Sequence, residues 1–448
     1  VTVAASTNRY LSDNFAPVAR EETLTDLRVS GTLPPQLDGR YLRNGPNPVA
    51  PVDPDHYHWF LGSGMVHGLR LEEGRAAWYR NRWVRSGDVA DALGEDRRPG
   101  PVHAAMDFSP NTNVVGHAGR TFAIVEGGGR PYELTDQLET VGPCDFDGTL
   151  EGGYTAHPHR DPATGELHAV SYFWGWGDRV QYSVLDGDGQ VRRTVDLEVP
   201  GSPMMHDFSL TDRRVVLYDL PVTFDLALVG TQPFPYAWNP DHPCRVGVFD
   251  RHGDGSDLRW VELDPCYVYH PMNAYDDGDR TVLDVVRHPS TMRTDPTGPF
   301  EGHPVLERWT VRPDAGTVER TVLNERPQEF PRIDERRTGR PHRYGYLPVS
   351  TRTDLDPTFD ALARIDVDTG SEVVRTFGDG QRTSEFVFVP HHADSAEDAG
   401  WLLGFVHDLS NDTTDLAVLD AATLDDVARV HLPVRVPFGF HGNWVPSA

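Results

Sequence analysis

Short extended segments separated by glycine- and aspartate-rich turns run through most of this 448-residue chain, and no long helical pattern interrupts them. Thr121–Val125, Leu167–Tyr172, Val180–Val184, Val215–Tyr218 and Val246–Phe249 are apolar or alternating, as are Thr281–Val286, Val305–Val311, Glu372–Phe377, Trp401–Val406 and Leu416–Leu419. Turn signals stand between them, among them Asp-Gly-Asp-Gly at 186–189, Asp-Asp-Gly-Asp at 276–279 and Asp-Thr-Gly at 368–370. This alternation predicts an all-β sandwich, barrel or propeller. Leu355–Leu362 and Asp420–Ala428 are read as short helices, and no composition break marks a domain linker.

Four histidines choose among those architectures. His157, His206, His270 and His441 each border an apolar or aromatic stretch, and no helix or hairpin could bring them together. A propeller brings inner strands of separate blades to one axis, where side chains from distant sequence can ring an ion. No strict repeat is visible, so such a propeller would be degenerate in sequence. Four neutral imidazoles suit a redox-active metal such as iron better than a hard cation.

The chain holds 20 His, and spacing alone could not isolate a quartet. His56, His103, His117, His252, His288, His303, His342 and His391 lie in polar or turn-like contexts and are read as structural or exposed. A metal-bound imidazole usually donates its other N–H to a carboxylate or carbonyl. Glu126, Glu329 and Glu385 adjoin apolar runs. Each reads either as a strand-end surface residue or as such a buried acceptor.

Charge and composition exclude several functions. The net charge of −27 disfavours nucleic acid and anionic lipid as partners. All 41 basic residues are arginine, a bias that a GC-rich genome accounts for. A P-loop, a Schiff base and a lysine general base are thereby ruled out. No apolar run reaches the ~20 residues of a membrane-spanning helix. The first residues lack the blocks of a secretory signal, and three separated cysteines read as free thiols of a reducing compartment, so a cytoplasmic location is expected.

Taken together, ten motifs resemble the carotenoid cleavage oxygenases, a non-heme iron family that also includes stilbene- and phenylpropene-cleaving members. They are Asn14-Phe-Ala-Pro, Gly39-Arg-Tyr-Leu-Arg-Asn-Gly-Pro-Asn-Pro48, His58-Trp-Phe, Gly64-Met-Val-His-Gly68 and Ala156-His-Pro158, followed by Met205-His-Asp-Phe208, Tyr269-His-Pro271, Glu329-Phe-Pro-Arg332, Ser384-Glu385 and Gly439-Phe-His-Gly442. The resemblance spans nearly the whole chain. It implies one domain over residues 1–448, with an N-terminal arm at 1–35. The implied fold is a seven-bladed β-propeller with a cap of loops and short helices over the metal-bearing face. It makes His157, His206, His270 and His441 the ligands of one Fe(2+). Glu126, Glu329 and Glu385 would support His206, His270 and His441 in that order, and Thr112 would lie near the open iron position. Relatives often carry Trp-Phe-Asp-Gly-Asp-Gly where this chain has Trp59-Phe-Leu-Gly-Ser-Gly64, so two acids are lost, at Leu61 and Ser63.

The implied reaction is addition of O2 across an electron-rich C=C bond to give two carbonyl products. Phenol-cleaving members typically place a lysine just before the first of these glutamates, where this chain has Val125. That favours an apolar carotenoid or apocarotenoid over a stilbene or phenylpropene, which remains the alternative. The short apolar segment Phe224–Trp238 reads either as a weak membrane contact or as a packed inter-blade loop, and Phe173-Trp-Gly-Trp176 either lines a tunnel or belongs to the core. Two readings from other classes stay open: a non-catalytic propeller that only binds, and a zinc hydrolase. Four histidines would be unusual for catalytic zinc, which usually has three protein ligands.

Overall fold

The computed structural model describes residues 8–352 and 358–447. Seven antiparallel sheets follow one another around an axis, and each is one blade of a propeller. The second blade shows the simplest pattern: Asn113–His117, Arg120–Ile124, Tyr132–Leu134 and Thr140–Pro143 pair in sequence order. The third begins at His159–Arg160, the fourth at Phe208–Leu210, the fifth at Tyr267–Asp277, the sixth at Tyr344–Val349 and the seventh at Gln381–Pro390. These first strands end their sheets, and several of them touch the inner strand of a neighbouring blade, as Phe208–Leu210 does Tyr267–Asp277 and Tyr344–Val349 does Gln381–Pro390, which marks them as the inner edge.

Both ends of the chain close the ring. Arg28–Gly31 pairs with Asp426–Leu432 as the outer strand of the seventh blade. Gly442–Pro446 pairs with Gly39–Pro46 as the innermost strand of the first. A closed ring leaves no long exposed sheet edge at its junction, which removes a template for aggregation. The expected N-terminal arm is therefore partly sheet.

The core lies between successive blades rather than inside one. Its largest cluster joins Val170 and Tyr182 of the third blade to Phe208 and Val216 of the fourth and Leu283 and Trp309 of the fifth. Strand alternation explains this, because each face of an inner strand meets a neighbouring blade.

All ten expected strands are present within one to three residues of their ends. Neither expected helix is found among the described residues. Asp420–Ala428 is a turn between Thr413–Asp420 and Asp426–Leu432, where the Asp420 carboxylate accepts from the N–H groups of Ala422 and Thr423. An aspartate caps such a turn as it would a helix start, so the local signal is shared. Residues 355–357 of the other segment lie outside the described residues, and Leu362 belongs to the strand Ala361–Asp366. The cap instead uses Gly87–Leu93, an α-helix, and the short 3-10 turns Trp59–Leu61, Trp174–Trp176 and Leu226–Leu228.

Candidate metal centre

Each candidate histidine stands at the start of an innermost strand. His157 precedes His159–Arg160, His206 precedes Phe208–Leu210, His270 lies within Tyr267–Asp277, and His441 precedes Gly442–Pro446. All four are buried, and one ring nitrogen from each lies within 4.8 Å of the others. Local backbone features aim them. The register shifts between Val268 and Pro271, so a bulge turns His270 toward the axis. His441 is fixed by its N–H to the Thr112 carbonyl and by its own carbonyl, which accepts from Asn44.

Three carboxylates orient three of the rings. Glu126 accepts from His206 Nδ1 at 2.8 and 2.9 Å. Glu329 accepts from His270 Nδ1 at 2.5 Å, and Glu385 from His441 Nδ1 at 3.0 Å. An ionised carboxylate only accepts, so each Nδ1 carries the hydrogen and each Nε2 presents a lone pair. Thus the 3.3 Å approach of His206 Nε2 to His270 Nε2 brings two lone pairs together. His157 Nε2 is buried and has no hydrogen-bond partner among the described residues. Converging lone pairs without a donor repel one another, and a cation relieves that. The donor set therefore fits a metal ion.

Electrostatics favour the neutral ring at His157 and His270. Burial and then the other three imidazoles push His157 well below its ordinary pKa, which keeps it neutral. Burial likewise lowers His270, partly offset by Glu329. For His206 burial acts in the same direction, but Glu126 outweighs it and the net shift is upward. Burial alone would raise the carboxylates. Instead Arg332 and His441 draw Glu385 down to about 2, and His270 with His288 holds Glu329 well below the usual range. Glu329 and Glu385 are thus held in the ionised form at neutral pH.

The backbone around these acids is special. Glu385 sits where the register shifts between Thr383 and Phe386. Its second oxygen accepts from Gly442 N–H at 2.7 Å, which ties the seventh blade to the closing strand. Phe330, after Glu329, has φ +52°, a left-handed conformation rare for an aromatic residue. Its N–H returns to the Glu329 carboxylate, and its ring stacks on His270 at 5.3 Å. Strain of this kind clusters at functional sites.

Three contributors were not singled out in the sequence. His288, read there as a bland histidine, donates from Nε2 to Glu329 at 2.8 Å and lines the cavity beside the quartet. Asp207, next to His206, accepts from His159 Nε2 at 2.8 Å and lies 3.6 Å from His157 Nδ1. His157 thus has an aspartate nearby, beyond direct hydrogen-bond range, rather than a glutamate. Arg332 holds Glu385 at 3.2 Å. Asp207 and Arg332 had a local signal, standing inside Met205-His-Asp-Phe208 and Glu329-Phe-Pro-Arg332; His288 had none.

A cavity of about 620 Å³ opens on the cap side of the quartet. His206, His270, His441, Thr112 and Val125 all line it. The Thr112 hydroxyl donates to Asn111 Oδ1 at 3.0 Å. Leu61 lies on the cavity wall and is 53% exposed, whereas Ser63 is buried and its carbonyl accepts from Asn47 N–H. Phe173-Trp-Gly-Trp176 divides: Trp174 faces the cavity and Phe173 is buried. Residues 224–238 form part of a two-stranded hairpin on the cavity wall, with Leu226 and Val229 exposed. A smaller polar cavity, about 180 Å³, touches His157, Asp207 and Glu385, so the quartet lies between the two.

The chain belongs to the carotenoid cleavage oxygenase family and is an oxygenase of that class. The family model described as retinal pigment epithelial membrane protein matches residues 15–446. A carotenoid cleavage oxygenase of Mycobacterium tuberculosis is 50% identical, covering 99% of each chain. Lignostilbene dioxygenase of Pseudomonas brassicacearum superposes with a TM-score of 0.89 at 27% identity, covering 100% of both chains. The cobalt-substituted Synechocystis ACO gives 0.87 at 26% identity, covering 96% of this chain and 97% of that one. Among the described residues no helix is long and apolar enough to cross a membrane.

Proposed function

We propose that this chain is an iron(II)-dependent oxygenase that cleaves one C=C bond of a carotenoid or apocarotenoid with O2, giving two carbonyl products. The observation that carries this reading is the convergence of one ring nitrogen from each of four buried histidines, three of which line a largely apolar cavity. His157, His206, His270 and His441 would hold the metal, and Glu126, Glu329 and Glu385 would fix three of those rings. Bound there, iron would supply the electrons that activate O2. The protein's own work is placement. Aromatic walls hold the alkene beside the quartet and exclude water. Thr112, which lines the same cavity, would restrict the open side of the centre. The balance is simple: one alkene and one O2 become two carbonyls, and no proton need enter or leave.

Residues 1–448 act as one unit in this reading, consistent with a ring closed by both chain ends. Three buried free thiols suit a reducing, cytoplasmic setting. Exposed Leu226 and Val229 on the cavity wall suit a weak lipid contact during substrate uptake. A second reading, cleavage of a stilbene or phenylpropene, has support from the full-length likeness to lignostilbene dioxygenase.

Elemental analysis of reconstituted protein should find about one iron per chain, the metal that a neutral nitrogen set of this kind suits. Product masses and O2 uptake with a panel of carotenoids, apocarotenoids, hydroxystilbenes and phenylpropenes should then show paired carbonyl products. Uptake of zinc but not iron, without iron-dependent O2 consumption, would sink the oxygenase reading.

A further inference from the structure

Tyr236 lines the large cavity, and its hydroxyl is buried with no hydrogen-bond partner among the described residues. It begins the strand Tyr236–Trp238 and pairs with Phe224 across the hairpin. Phe224, Phe234 and Tyr172 surround its ring, with centroids 5.7, 5.2 and 6.0 Å away. A buried O–H without an acceptor is costly, and the usual remedy is a protein group, a water or a ligand. The walls around it are aromatic, so a ligand is the natural source. Burial and the nearby Glu126 carboxylate both resist ionisation of this phenol, so it offers a hydrogen and not a charge.

We propose that Tyr236 is a specificity-determining residue that donates to an oxygen of the substrate, so that the preferred ligand is an oxygen-bearing polyene such as an aldehyde rather than a hydrocarbon carotene. This rests on the alkene-cleavage reading for its ligand class. It adds a polar anchor to a cavity that Val125 would otherwise leave apolar.

The test is a binding measurement on the metal-loaded protein kept free of O2, followed by tryptophan quenching. The probes are a conjugated polyene aldehyde and the hydrocarbon of the same length. Wild type should bind the aldehyde about tenfold more tightly than the hydrocarbon, the value of one recovered hydrogen bond. Tyr236→Phe should bring the aldehyde down to the hydrocarbon and leave hydrocarbon affinity unchanged, which also reports an intact cavity. Equal affinities in wild type, or an aldehyde preference that survives in Tyr236→Phe, would overturn the assignment. The wild-type ranking alone can do so if the variant fails to fold. Because no turnover is read, protein that shows the ranking yet cleaves nothing with iron and O2 would refute the proposed function and spare Tyr236. Cleavage without the ranking would do the reverse.

Discussion

Glu329 concentrates more of the site's organisation than any other side chain. It accepts from His270, from His288 and from the N–H of the strained Phe330. Glu329→Gln keeps the shape but loses the anion and turns one end into a donor. Metal affinity should fall by roughly 10–100-fold with the fold retained, as read by metal titration beside a circular-dichroism spectrum. An unchanged affinity would remove Glu329 from the centre. At this scale the candidates were nameable from sequence, and Glu126, Glu329 and Glu385 accept from His206, His270 and His441. His288 was not legible, because its role depends on a carboxylate supplied from 41 residues away.

Among the elements, the strand Val305–Arg312 carries a buried carboxylate remote from the quartet. Glu307 accepts from Trp309 Nε1 at 2.8 Å, from Arg287 at 2.7 Å and from Arg320, joining three strands of the fifth blade. Burial alone would raise its pKa, yet the Trp309 hydrogen bond and the arginines hold it below the ordinary value. A depressed carboxylate contributes stability above its unfolded pKa near ~4.3, and that contribution is lost as pH falls through the folded value. Glu307→Gln should therefore lower stability by roughly 1–3 kcal/mol at pH 7, and the gap from wild type should close below about pH 4. Thermal unfolding at both pH values checks this, and a gap that persists in acid would reject the linkage. The elements also show where pattern reading stops. Gly39–Pro46 is wholly buried and was not among the expected strands. It carries Arg40, Arg43 and Asn44, whose polar side chains hide the alternation on which strand detection depends.

For the whole molecule, ring closure and site assembly are one event. Gly442–Pro446 seals the first blade and follows His441 directly. A chain ending at His441 would keep all four histidines but lose that strand and the Gly442 N–H held by Glu385. Metal affinity should drop at least tenfold, by the same loss of ligand orientation, and the unfolding temperature should fall. Wild-type affinity in the truncated chain would show that closure does not build the centre. Substrate choice belongs to this scale too, since the cavity draws on several blades and the cap. A phenol seated against Val125 would lose water and gain no partner there, at about 1–3 kcal/mol. Polyenes should exceed 4-hydroxystilbenes by roughly tenfold or more in kcat/KM, and a measured preference for the hydroxystilbenes would transfer the assignment to the aromatic class.

The sequence by itself determined the β class, the absence of lysine chemistry and which side chains could ligate a soft or borderline metal. Those properties belong to single residues and to short periodic runs. Tertiary structure decided how the Nδ1 and Nε2 atoms divide between acid and centre, that His288 and Asp207 join them, and that Tyr236 remains unsatisfied. Such facts depend on bulges at His270 and Glu385 and on a ring joined by residues from both ends of the chain. A one-residue change of register turns a strand's side chains to its other face, and no local pattern encodes which partner each will then meet.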